Sequence, residues 1–170
     1  IPIVLENEIT FLSGRPSTGK TNTAIGICRN LLIKNWKVIY YHAEGSRDAS
    51  PSAYGASTPD QLLSIKLVTN LFFDLDELRS AIGQIVEKDK IQPVLVVIDC
   101  LELFDCEPQE LFHLISEYKH FKNLRFLILT LLPRYLERKT KDHAEEYIRK
   151  TYPTDVDNQI KIVGEFAGDD

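Results

Sequence analysis

The apolar residues fall into two alternating kinds of run. Val38 to Tyr41, Val94 to Ile98 and Phe126 to Leu129 are continuous, where a sheet with one wet face would alternate. Such runs mark strands buried on both faces of a parallel sheet. Shorter strand candidates are Ile9 to Leu12, Ile65 to Val68 and Ile160 to Val163. Between them the spacing turns helical. From Thr21 to Ile33, residues Ala24, Ile25, Ile27, Cys28, Leu31 and Leu32 recur at a period of about 3.6, and Asn35 closes the segment. Asp74 stands three residues before Glu77, a capping-box-like start to a helix carrying Leu78, Ile82, Ile85 and Val86 on one face. Pro108 suits the first turn of a third helix burying Leu111, Phe112, Leu114, Ile115 and Tyr118, and a fourth is expected around His143 to Lys150. Repeated β-α units predict an α/β fold with a mostly parallel central sheet flanked by helices. The stretch from Ser46 to Pro59 is rich in Ser, Ala, Gly and Pro without periodicity, so it is expected to be a mobile loop. A linker between domains is disfavoured there, because too little chain precedes it to fold alone.

A chain of 170 residues, 44% hydrophobic and 26% charged, is expected to form one domain over 1–170 with one sizeable core. No apolar run approaches the roughly 20 residues needed to cross a bilayer, so no membrane partner is expected. The formal net charge of -5 means that any nucleic-acid contact must be a local patch. Cys28, Cys100 and Cys106 include no C-x-x-C pair, which argues against a disulfide framework and a cysteine zinc site and for a reducing compartment. The chain begins at Ile1 and contains no methionine, so the natural N-terminus is expected to precede it.

The chemistry concentrates at strand ends. Gly14-Arg15-Pro16-Ser17-Thr18-Gly19-Lys20-Thr21 matches G-x-x-x-x-G-K-[ST] between a strand and a helix. Its glycines let backbone N–H groups curl around phosphate oxygens at the positive end of the following helix. In that pattern Lys20 reaches the β- and γ-phosphates of ATP and Thr21 ligates Mg²⁺. Val94-Leu95-Val96-Val97-Ile98-Asp99 has the form of a buried strand carrying one acid to the metal; a helix cap is the competing reading of Asp99. Glu102 and Asp105, just beyond, are expected to be solvated. Tyr40-Tyr41-His42-Ala43-Glu44-Gly45 ends another buried strand, at the sheet edge where ligands collect. Glu44 there suits a base that orients and deprotonates the water attacking the γ-phosphate, and an exposed loop acid is its competing reading. His42 is expected to be structural.

Together, the P-loop, the strand-end Glu and the apolar strand ending in Asp resemble the RecA-like recombinase ATPases, including the eukaryotic strand-exchange recombinase and its paralogues. The resemblance covers most of the chain. It implies a RecA-like P-loop core, gives Glu44 the catalytic role of the Glu in the family's D-T-E-G-like string, and implies homologous recombination, DNA repair and a nuclear location. Thr130-Leu131-Leu132-Pro133 looks like the family's T-N-Q element, with Leu132 in place of a nucleotide-sensing Gln. The segments around Asp99 to Phe104, Glu107 to Glu110 and Thr151 to Pro153 are similar to the small paralogue branch that partners a SWIM-type zinc-finger protein. The implied partners are therefore single-stranded DNA, the main recombinase and such a zinc-finger subunit.

The family's second DNA-binding loop falls between Pro133 and His143, where Arg134, Arg138, Lys139 and Lys141 face only Glu137 and Asp142. These cations suit the phosphates of single-stranded DNA and Tyr135 a base stack; a solvated loop is the competing reading. Three functions stay open: a slow, DNA-stimulated Mg²⁺-dependent ATPase acting as a recombination mediator, a nucleotide-stabilised scaffold with little turnover, and a replicative-helicase-like ATPase domain.

Overall fold

The computed structural model describes residues 9–14, 19–42, 50–68, 75–88, 92–103, 107–118, 121, 123–133, 135–136, 140–152 and 158–163. Six parallel strands form one sheet: β1 (Ile9–Gly14), β2 (Lys37–His42), β3 (Ile65–Val68), β4 (Val94–Asp99), β5 (Leu124–Leu131) and β6 (Asn158–Val163), in the order β3-β2-β4-β5-β1-β6. The helices are α1 (Lys20–Ile33), α2 (Pro59–Leu63), α3 (Leu75–Lys88), α4 (Pro108–Glu117) and α5 (Lys141–Thr151), with short 3-10 turns at Pro51–Tyr54 and Leu101–Leu103.

Both faces of the sheet are covered, which is why the strands read as unbroken apolar runs. Along each strand alternate residues enter different cores. Leu12, Val38, Tyr40, Leu95, Val97, Leu127 and Leu129 pack with Ala24, Ile25, Cys28, Leu31 and Leu32 of α1. Phe11, Ile39, Val96, Ile98, Phe126 and Ile128 pack with Leu78 and Ile82 of α3, Leu111 and Ile115 of α4, and Ala144 and Ile148 of α5. α1 and α5 thus leave the neighbouring strands β1 and β5 on opposite faces. That divergence opens a crevice at the carboxyl ends of the strands, where ligands of open α/β sheets bind.

Part of the stretch expected to be a mobile loop is ordered. Pro51–Tyr54 forms a 3-10 turn, and Tyr54 is fully buried with its ring 4.7 Å from that of Tyr40. The following Gly55 has φ +103, and a Cβ there would sit 3.1 Å from the backbone N of Arg29, so both conformation and close approach to α1 require glycine. α2 was not anticipated. Thr58-Pro59-Asp60-Gln61 starts it: the Gln61 N–H donates to Thr58 Oγ1 at 3.2 Å and Gln61 Oε1 accepts the Ser57 N–H at 2.9 Å, a capping arrangement with Pro in the first turn. The expected cap of α3 at Asp74 lies outside the described residues.

Candidate functional site

The P-loop pattern begins on the last residue of β1 and ends in the first turn of α1. Gly19 caps α1 at φ 86, ψ 19, a left-handed conformation that costs glycine nothing and other residues much more. The first turn of α1 holds no acidic residue, so the positive end of the helix dipole meets no carboxylate from its own turn and suits an external anion. Lys20 is 7% exposed, and its Nζ donates to the Gly14 carbonyl oxygen at 3.3 Å. The same oxygen accepts the backbone N–H of Leu132 at 2.9 Å.

Thr21 and Asp99 meet across 78 residues, the Thr21 hydroxyl donating to Asp99 Oδ2 at 2.9 Å. Asp99 is 3% exposed at the end of β4, in register with His42 at the end of β2. A second hydroxyl, that of Tyr40, donates to the same Oδ2 at 2.7 Å. Burial, and then the adjacent Asp99 charge, hold the Tyr40 hydroxyl above its ordinary range, so it is a fixed donor. One strand over, the hydroxyls of Ser13 and Thr130 hydrogen-bond each other between β1 and β5, both fully buried. His42 Nδ1 bonds the Tyr54 hydroxyl, tying the end of β2 to the 3-10 turn.

A nucleotide and its ion fit this donor set. The Thr21 hydroxyl and the Asp99 carboxylate are hard oxygen donors of the kind Mg²⁺ takes, and they stand beside a helix N-terminus flanked by Lys20.

The remaining expectations divide as follows. Arg15, Pro16, Ser17, Thr18 and Glu44 lie outside the described residues, as do Arg134, Arg138 and Lys139. Lys141 is not on a loop; it is the exposed first residue of α5. Leu132, at the expected sensing position, is 4% exposed and part of the core shared with α5, so its side chain serves packing. Glu102 is not merely solvated: it accepts the Leu131 N–H at 2.9 Å, the Tyr152 hydroxyl at 3.2 Å and the Cys100 thiol at 2.6 Å. Tyr40, Ser13 and Glu102 were missed. For Tyr40 a signal existed, since a tyrosine inside a fully buried strand must find a partner for its hydroxyl.

No family model and no curated protein matches the chain. Its shape does match solved structures. A helicase ATPase domain superposes with a TM-score of 0.56 at 18% identity, over 79% of this chain and 60% of that one. A DnaB-like replicative helicase, solved in a study of its interactions with primase, gives a TM-score of 0.58 at 19% identity, over 79% of this chain and 42% of that one. The fold is RecA-like. This chain spans less than two thirds of either neighbour. Within the RecA-like fold, the residues just described occupy the carboxyl-end crevice between β1, β4 and β5.

Proposed function

We propose that the chain is the core of a Mg²⁺-dependent, ATP-binding RecA-like ATPase. The observation carrying this reading is the hydrogen bond from Thr21 to Asp99 beside the N-terminus of α1: it joins the end of the P-loop pattern to the acid of the β4 strand. Lys20 offsets charge on the β- and γ-phosphates, while Thr21 and Asp99 hold the ion. Bound there, Mg²⁺ supplies charge neutralisation to the phosphates. Glu44, two residues past β2, accepts the proton of the attacking water.

The finer reading is a recombinase paralogue of homologous recombination and DNA repair, nuclear, that binds single-stranded DNA through Arg134, Arg138, Lys139 and Lys141. Its proposed partners are the main recombinase and a SWIM-type zinc-finger subunit; the motif resemblance supports it. The structural likeness to helicase ATPase domains favours a second reading, a replicative-helicase-like ATPase domain. The test is ATP binding and hydrolysis by the purified chain, with and without single-stranded DNA. Nucleotide binding without turnover turns the conclusion to the scaffold; absence of binding overturns the ATPase reading.

A further inference from the structure

Tyr40 lies in the middle of β2 and is fully buried. A leucine or phenylalanine would fill that place in the α1-side core without needing a polar partner. Tyrosine brings a hydroxyl that must be satisfied, and here the partner is an acid 59 residues away at the end of the adjacent strand, at 2.7 Å. Two hydroxyls therefore converge on one oxygen, Asp99 Oδ2: Tyr40 from β2 and Thr21 from α1. A carboxylate held at one oxygen by donors from two different elements has its torsion fixed, and Oδ1 is the atom that neither hydroxyl takes. The ring is itself immobilised, 4.7 Å from Tyr54 and 6.1 Å from His42 between centroids, and those two residues are bonded to each other.

We propose that Tyr40 is a positioning residue for the divalent-ion site, its hydroxyl fixing the Asp99 carboxylate so that Asp99 and Thr21 present a preset pair of oxygens to the ion. The inference rests on the nucleotide reading above and adds a residue outside both motifs. Partners that orient metal ligands typically matter about 10- to 100-fold in metal affinity. Tyr40 touches neither nucleotide nor ion, so its influence falls on the coupling between them and spares the contacts of nucleotide with the P-loop.

The test measures the affinity of a fluorescent ADP for the purified chain in Mg²⁺ and in EDTA, for wild type, Tyr40→Phe, Tyr54→Phe, Asp99→Asn and the Tyr40→Phe/Asp99→Asn double variant. In wild type Mg²⁺ tightens binding. Tyr40→Phe is expected to keep the EDTA affinity and lose about tenfold of the Mg²⁺ enhancement. Tyr54→Phe, which also deletes a buried hydroxyl on this face, keeps the enhancement in full, and Tyr40→Phe adds nothing once Asp99 is Asn. If Tyr40→Phe does not fold, 4-fluorophenylalanine at position 40 fills the hydroxyl's space without donating and reads the same coupling. An unchanged enhancement, or an equal loss in the Tyr40 and Tyr54 variants, overturns the role of Tyr40 and leaves the nucleotide reading standing. A wild type that binds no nucleotide in either buffer overturns both.

Discussion

The carboxylate of Glu102 accepts the backbone N–H of Leu131 at 2.9 Å, and through that bond the turn after β4 is fastened to the last residue of β5. With Tyr152 and Cys100 as further donors, one acid ties β4, β5 and the end of α5 together. Glu102→Ala removes the acceptor for all three, so unfolding stability is expected to fall by about 1 to 2 kcal/mol. At roughly 2 to 4 °C per kcal/mol for a chain of this size, a thermal melt reads it directly. An unchanged melting temperature would show that water replaces these bonds at no cost.

Lys20→Ala is expected to reduce ATP affinity by 100-fold or more on the order-of-magnitude scale of a lost charge-assisted phosphate contact, with the fold intact by circular dichroism. Calorimetry showing wild-type affinity would remove the P-loop assignment.

Glu44→Gln preserves shape and removes the base. Nucleotide binding should persist while hydrolysis drops by at least about 100-fold, measured as phosphate release under single-turnover conditions. Undiminished turnover would take the catalytic role away from Glu44.

Cys28 is fully buried in α1, and burial pushes its thiol up from 9.0 to about 12. In the unfolded chain the thiol ionises near 9, in the folded chain near 12. The folded state therefore holds more protons in that window, and stability falls as pH rises from 9 toward 12, by up to about 1.4 kcal/mol per pH unit for each such group. Below pH 9 the contribution is fully present. Cys100, Tyr40 and Tyr152 are displaced in the same direction, mainly by burial. Urea unfolding at pH 8 and pH 10.5 should give a lower stability at the higher pH, with a smaller difference in Cys28→Ala.

If single-stranded DNA binds the basic stretch after Pro133, replacing Arg134, Arg138, Lys139 and Lys141 with Ala should flatten the dependence of log affinity on log salt by roughly 0.7 per lost contact. ATP affinity should stay the same. An equal slope in a salt titration with a labelled oligonucleotide assigns this stretch to solvated surface.

The strands were legible because the sheet is covered on both faces, so Val94 to Ile98 or Phe126 to Leu129 need no alternation to be recognised. Their ends were less so: β1 runs on to Gly14 and β4 to Asp99, because strand pairing continues past the last apolar residue. α2 escaped notice because it is too short to show a helical period, although its capping residues Thr58 and Gln61 were readable. The local halves of the site, Lys20 with Thr21 and the strand ending in Asp99, could be read from motif and context. The links between elements could not: Tyr40 reaches Asp99 across 59 residues and Glu102 reaches Tyr152 across 50. No local pattern encodes such partners; they exist only once the sheet order brings β2 beside β4 and α5 beside the end of β5.

The Gly14 carbonyl serves two donors, Lys20 Nζ at 3.3 Å and the Leu132 N–H at 2.9 Å. The longer bond can be given up without orphaning the acceptor, since the shorter one remains. On the proposed reading, Lys20 moves from its own loop to a phosphate with little reorganisation of the protein around it. The resting position of the lysine is then a parking place that stores almost no barrier, and loading of the site is limited by the arrival of the nucleotide instead of by the release of its principal cation.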